Sequence, residues 1–435
     1  MNQRVLKSFL AGLALWGVFS HEAASENEHR PSRASTEVTV ESLVAEALEN
    51  NPELRFYTAE IQAAQAGEKT AGLWANPELN AGLGRKSARD SGLSAEGVAW
   101  SVSVMQPFEW PGRLGLRKAI ANRDVELARL GLERFRAALA GRVRSLAYGL
   151  FVAQERAAAA SEVAERFKAL REVLVQRDPA GLTPLLETRV IEATELNMQR
   201  KASHATLAVH SAEIELNHLL GGAPGIRVLI APVKIDFPPL MDREALLALA
   251  RTNNFELRLR AVELAQQGFR IDLAKNERYP AFSVGPSVSE ERAGDRERVI
   301  GVGISLPLPL WNRNKSSIEA AKARQLQAET SLLAAQRDVE RKVAEAAQVY
   351  ETKREEMAMW RPDSARHFRE AAEVADRHYR LGAVPISTYV ELQKQYLEAV
   401  EGLLDTQKEA LDAASQLELL AGMSDPLVQA TTRKD

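Results

Sequence analysis

The chain's 435 residues are enough for two or three ordinary domains, and a net charge of −3 gives it no broad electrostatic attraction for nucleic acid. It has no cysteine, which excludes disulfides, thiolate metal sites and a lipid-modified N-terminal cysteine. Beyond the N-terminus no run of about 18 or more apolar residues occurs, so no helix of the mature chain is expected to span a bilayer.

Arg4 and Lys7 precede an apolar core from Phe9 to Phe19, and small residues follow around Ala23 to Ser25. This is the form of an export signal over 1–25, its core too short for a membrane anchor. Residues 26–40 are polar and aperiodic and read as a leader. Helical periodicity then runs from Val40 to about Trp74, broken at Asn50-Asn51-Pro52, where Pro52 suits a new helix start capped by Asn51.

Next, Leu79, Ala81 and Leu83 alternate with Asn80, Gly82 and Gly84, and Val98, Trp100, Val102 and Val104 alternate with Gly97, Ala99, Ser101 and Ser103. The pattern predicts a β-hairpin over about 77–106, its strands joined by a polar link from Lys86 to Glu96. From Gly112 to about Gln176 the chain reads as one long helix, or two end to end, reaching roughly 95 Å. Breakers cluster at Asp178 to Pro184, and a second helix returns from Leu185 to Leu220 and stops at Gly221-Gly222. So long a hairpin suggests a coiled-coil rod or a tube wall.

Residues 223–240 are proline-rich and read as a linker across the outside of the helices. The plan then repeats. Asn254-Phe255-Glu256-Leu257-Arg258 answers Asn51-Pro52-Glu53-Leu54-Arg55. Phe282, Val284, Pro286 and Val288, then Ile300, Val302, Ile304 and Leu306, alternate with glycine and serine, predicting a second hairpin over about 280–306 with a polar link from Glu290 to Arg298. A long helix resumes from Asn314 to about Tyr379, with Pro362 placed to kink or divide it. A turn at Arg380 to Pro385 answers the one around Gly181, and LELLAG at 417–422 answers LNHLLG at 216–221. The chain is thus two repeats, 41–222 and 241–422, followed by a tail over 423–435.

Tilted strands of about nine to eleven residues can cross a bilayer, with apolar faces toward lipid and small polar faces toward a lumen. Trp74, Trp110 and Trp311 at the corners, and Tyr279 before the third strand, stand where an interfacial aromatic belt is expected. The alternative is a pair of soluble hairpins on a periplasmic coiled-coil scaffold or adaptor. In lipid, four strands with open edges would leave unpaired N–H and C=O groups, so the sheet would have to close with other copies of the chain. Two chains would supply eight strands, which leave an interior filled by side chains; a conducting tube therefore favours more.

An exported chain with two repeats, each a β-hairpin between long helices, resembles the TolC family of outer-membrane efflux channels over about residues 40–422. The Asn-Pro-Glu-Leu start at 51–54, the QPFEWPGR corner at 106–113, the GVGISLPLPLWNRN corner at 301–314 and the YRLG turn at 379–382 carry the resemblance. The two corners look most like the heavy-metal branch, the partners of cobalt–zinc–cadmium or copper–silver pumps. The resemblance implies a mainly helical chain with a small membrane β-part, a homotrimer with a twelve-stranded β-barrel in outer-membrane lipid, and a periplasmic α-barrel. It also implies a periplasmic adaptor at the helix tips, Gly181-Leu182 and Arg380-Leu381-Gly382, and an inner-membrane pump of the resistance-nodulation-division type. Asp178-Pro179 and Pro184 depart from the family's tip pattern around the first tip. Glu187 and Glu391, just beyond the tips, occupy the positions at which family members narrow the periplasmic end. The implied cargo is heavy-metal cations, with a multidrug or secretion duct as the other outcome within the fold.

The remaining residues suggest no chemistry. His204, His210 and His218 are six and eight apart, and His367 and His378 eleven apart, so none share a tight chelating face. No phosphate loop, HExxH or Ser/His/Asp pattern is present. No catalytic group, cofactor or metal site is expected.

Overall fold

The computed structural model describes residues 37–432 apart from 91–92, 178–184, 224, 232, 294, 361–363 and 424–425. The expected export signal, nearly all of the leader, the Gly181-Leu182 tip and Pro362 therefore lie outside the described residues.

The leader ends earlier than its polarity suggests. Val38 forms a parallel bridge with Ile230, and the Thr39 hydroxyl accepts from Ser42 N–H to cap α1 (Val40–Asn50). Val40, Leu43, Val44 and Ala47 of α1 are buried. Asn51 Oδ1 then accepts from Glu53 N–H at 2.9 Å and opens α2 (Glu53–Ala71). β1 (Glu78–Asp90) and β2 (Leu93–Phe108) follow. The expected polar link from Lys86 to Glu96 is strand over its described residues, 86–90 and 93–96: Lys86 pairs with Gly97 and Ser87 with Glu96. Alternation fades there because both faces carry polar groups, while the backbone ladder continues unaffected.

The helix α3 (Arg113–Arg177) is one element of 65 residues. It reaches about 98 Å at ~1.5 Å per residue. α4 (Leu185–Leu219) returns along it. The expected linker is not merely external. Val228, Ile230 and Ala231 are buried, and β3 (Val233–Asp236) pairs antiparallel with β6 (Gln429–Thr432) from the C-terminal tail. Short apolar runs between prolines carry no period, so sequence alone does not show that linker and tail meet. Glu418 fixes the tail by accepting from Leu427 N–H at 2.6 Å.

The second repeat comprises α5 (Arg243–Asn253), α6 (Phe255–Asn276), β4 (Phe282–Ala293), β5 (Asp295–Ser305), α7 (Lys315–Met359), α8 (Ser364–Arg380) and α9 (Ile386–Ala421). Its long helix is divided between α7 and α8, unlike α3. The link from Glu290 to Arg298 is again largely strand.

The two repeats match at the level of single hydrogen bonds. Asn51 Nδ2 donates to the Leu219 carbonyl at 2.9 Å, and Asn254 Nδ2 to the Leu420 carbonyl at 2.7 Å. Each buried asparagine therefore caps one helix and closes the end of another. Gly221 and Gly422 follow those closed ends at φ +67° and +65°. An added Cβ would stand 2.8 Å from the Asn50 carbonyl oxygen at the first and 2.6 Å from that of Asn253 at the second. Glycine is required at both by conformation and by space.

Packing divides into successive clusters. One surrounds Leu43, Val143, Leu150, Leu216 and Tyr350, and takes in Val228, Ile230 and Leu411. The Tyr350 hydroxyl donates to the Pro238 carbonyl at 2.7 Å, tying the linker to α7. A second cluster joins Phe167, Ile191, Tyr389 and Leu397 of α3, α4 and α9 to Ala372 and Ala375 of α8. A third packs α5 against Val339, Val343 and Leu417.

Candidate functional site: the open sheet and the helical tip

The four long strands form one antiparallel sheet in the order β1-β2-β4-β5. β2 and β4 join the two repeats, with Val102 opposite Val288 and Phe108 opposite Phe282. Among the described residues β1 and β5 are its free edges. The registers place Leu79, Ala81, Leu83, Trp100, Val102, Val104, Val284, Val288, Ile300, Val302 and Ile304 on one face. Among the described residues nothing covers that face: Leu83 is 87% exposed and Ile300 74%. The opposite face carries Asn80, Gly82, Ser101, Ser103, Ser287, Gly301 and Gly303. Backbones approach closely here, and a Cβ on Gly285 would lie 1.7 Å from the Val104 carbonyl oxygen.

An apolar face and two unpaired edges, both left open, make a surface that water does not tolerate. The arrangement calls for an apolar solvent around one face and further strands at both edges.

At the helical end of the sheet three of the four expected aromatics make ring contacts. Trp110 stacks on Tyr279 with ring centroids 4.9 Å apart, and Trp74 meets Phe108 edge-on at 6.0 Å. Phe108 in turn stacks on Phe282 at 5.7 Å. Trp311 stands 94% exposed. Arg113 fixes this corner by donating from Nε to Asn276 Oδ1 at 3.1 Å and from Nη2 to both the Asn276 and Tyr279 carbonyls. The pairing of Phe108 with Phe282 escapes a reading of the sequence, because it comes from β2–β4 register. Trp100 escapes it as an aromatic marker for the same reason: only pairing with Glu290 shows that it stands at the far end of the apolar face.

At the opposite end of the helices, α8 finishes in a Schellman turn. Gly382 N–H donates to the Tyr379 carbonyl at 2.9 Å and Ala383 N–H to the His378 carbonyl at 2.8 Å, with Gly382 at φ +72°. The turn lifts Leu381 into solvent, while Arg380 folds back on Asp376 at 2.9 Å. Beneath it Tyr379 stacks on Tyr389, and Tyr389 packs against Phe167. Burial, and then the charge of Glu187, raise the Tyr379 phenol above its ordinary pKa. Glu187 thus lies near this tip, in the first turn of α4, where the helix dipole favours an anion. Glu391 is exposed and accepts from Gln395 Nε2 at 2.8 Å.

Among the described residues no group of three or more His, Asp or Glu side chains could hold a metal ion, and no helix is long and apolar enough to cross a membrane. His210 Nδ1 contacts Glu213 Oε2 at 3.2 Å, an i, i+3 pair.

A family model described as outer membrane efflux protein matches residues 43–222 and 246–423. The cobalt-zinc-cadmium resistance protein CzcC of Cupriavidus metallidurans is 24% identical over 294 residues, 67% of this chain and 68% of that protein. The nickel-cobalt-cadmium resistance protein NccC of Alcaligenes xylosoxydans xylosoxydans is 25% identical over 298 residues, 67% of this chain and 65% of that protein. The crystal structure of the Campylobacter jejuni CmeC outer membrane channel shares the fold, with a TM-score of 0.71 over 88% of this chain and 85% of that one at 15% identity.

Proposed function

Because this chain belongs to the outer membrane efflux protein family, we propose that it is the outer exit duct of a tripartite system expelling divalent heavy-metal cations. It is a channel of the Gram-negative outer membrane with a periplasmic helical part. One observation supports its mode of assembly: the four-stranded sheet with an apolar face and both edges open. Three chains joined β5 to β1 give a closed twelve-stranded barrel in which no edge stays unpaired. The apolar face then meets lipid, and the serine and glycine face lines the lumen. A soluble scaffold does not suit so much uncovered apolar surface.

Transport through such a duct is passive, and the energy comes from an inner-membrane pump of the resistance-nodulation-division type. In this reading Trp74, Trp110, Tyr279 and Trp311 sit at the periplasmic interface of the bilayer. The Arg380-Leu381-Gly382 tip receives a periplasmic adaptor, as does Gly181-Leu182. Glu187 and Glu391 ring the periplasmic entrance, attracting cations while their mutual repulsion favours opening. The chain performs no chemistry of its own.

The metal cargo is supported by CzcC and NccC, whose names record resistance to cobalt, zinc, nickel and cadmium. Deleting the gene tests it. Growth in zinc, cadmium and cobalt salts is expected to fall, with restoration by the full-length chain and no change toward organic toxicants. Sensitivity confined to organic toxicants would instead make it a multidrug duct.

A further inference from the structure

Beyond the apolar zone the strand ends carry charge, and the two faces differ in sign. The registers put Glu290, Arg292, Arg296 and Arg298 on the same face as Val288 and Ile300, and Lys86, Glu291 and Glu297 on the opposite one. On the apolar side, the Glu290 carboxylate is 5% exposed and sits among three guanidiniums. Arg296 reaches it at 2.6 Å, Arg298 at 2.9 Å and Arg292 at 3.3 Å. The three arginines remain half-exposed or more. Arg85 and Glu96, on the same face, neutralise each other. On the lumen side Lys86 lies between Glu291 at 2.7 Å and Glu297 at 3.4 Å, so acid is in excess there.

Three guanidiniums around one carboxylate exceed what that carboxylate needs. Each guanidinium presents five donors in a fixed fork, and a single carboxylate leaves most of them unused. Glu290 instead holds the arginines in place, side by side. The height of the cluster identifies what it meets. Glu290 lies opposite Trp100 and eight residues along β4 from Phe282. At ~3.3 Å per residue and a tilt of about 40°, that is roughly 20 Å above the lower aromatic belt, close to the outer limit of an apolar band about 25 Å tall.

We propose that Arg292, Arg296 and Arg298, organised by Glu290, form a docking site for the phosphate groups of a phosphorylated glycolipid in the outer leaflet, its acyl chains lying along Val288, Ile300 and Val302. The cluster faces lipid, fits phosphate by charge and by fork geometry, and continues into the apolar face that the chains would cover. The inference rests on the closed barrel proposed above.

The test uses the full chain purified in detergent, with bisphosphorylated lipid A, the same lipid dephosphorylated, and inorganic phosphate as probes. Retention is read by native mass spectrometry. The bisphosphorylated lipid is expected to bind about ten- to thirtyfold more tightly than the dephosphorylated one, given an excess of two charges near the surface. The neutral variant E290Q/R292Q/R296Q/R298Q, which keeps hydrogen-bonding groups in place, is expected to lose that preference. Equal binding of the two lipids by the unaltered trimer overturns the proposal, as does inorganic phosphate displacing the lipid at comparable concentration. Each of these leaves the barrel standing, because the trimer itself is scored in the same spectrum; a chain that gives only monomers would overturn the barrel instead.

Discussion

Val102→Arg is expected to abolish assembly of the channel in the outer membrane. Val102 lies on the inner strand β2, between Ala81 and Val288 on the apolar face. An arginine on the lipid face of a barrel costs about 2–4 kcal/mol near the bilayer midplane, and closure into a trimer incurs that cost in every copy. The neighbouring Ser103 points to the opposite face, so Ser103→Asn is expected to assemble normally. The comparison is read as the amount of trimer in detergent-extracted outer membranes. A normal yield of Val102→Arg trimer would reverse the assignment of the two faces.

Gly382→Asp is expected to do the opposite, leaving the trimer intact and stopping efflux. Gly382 has a positive φ, but nothing lies within 4 Å of where its Cβ would be. Aspartate is among the residues that tolerate this region, so the cost to the fold is about 1 kcal/mol. The new carboxylate would stand beside Leu381, which is 80% exposed at the end of the Schellman turn. A surface that receives an adaptor should lose it on gaining a charge at its centre. Metal resistance of cells carrying the variant measures this, with trimer yield as the control. Unchanged resistance would remove this tip from the adaptor contact.

Much of the architecture was legible in the chain because periodicity and repetition report independent things. Alternation from Leu79 to Leu83 and from Ile300 to Leu306 disclosed strands, and recurrence of the asparagine-capped start disclosed that the unit occurs twice. Legibility failed where a structure depends on partners far away in sequence. Lys86 to Asp90 and Leu93 to Glu96 are strand because the ladder from Glu78 carries on through them, not because of their own composition. The linker around Ile235 and the tail around Ala430 each look irregular, and become a sheet only when they meet. The arginines around Glu290 likewise read as a polar turn until the register places them on one face. At the tip, the motif Tyr379 to Gly382 was visible, whereas the proximity of Glu187 to Tyr379 joins residues far apart in the chain.

The measurement that bears most directly on the closed barrel is the mass of the mature protein in detergent-extracted outer membranes. The open sheet edges predict a trimer of about 135 kDa, at roughly 45 kDa per chain if the export signal expected over residues 1–25 is removed. A monomer or dimer that stays soluble without detergent would contradict it.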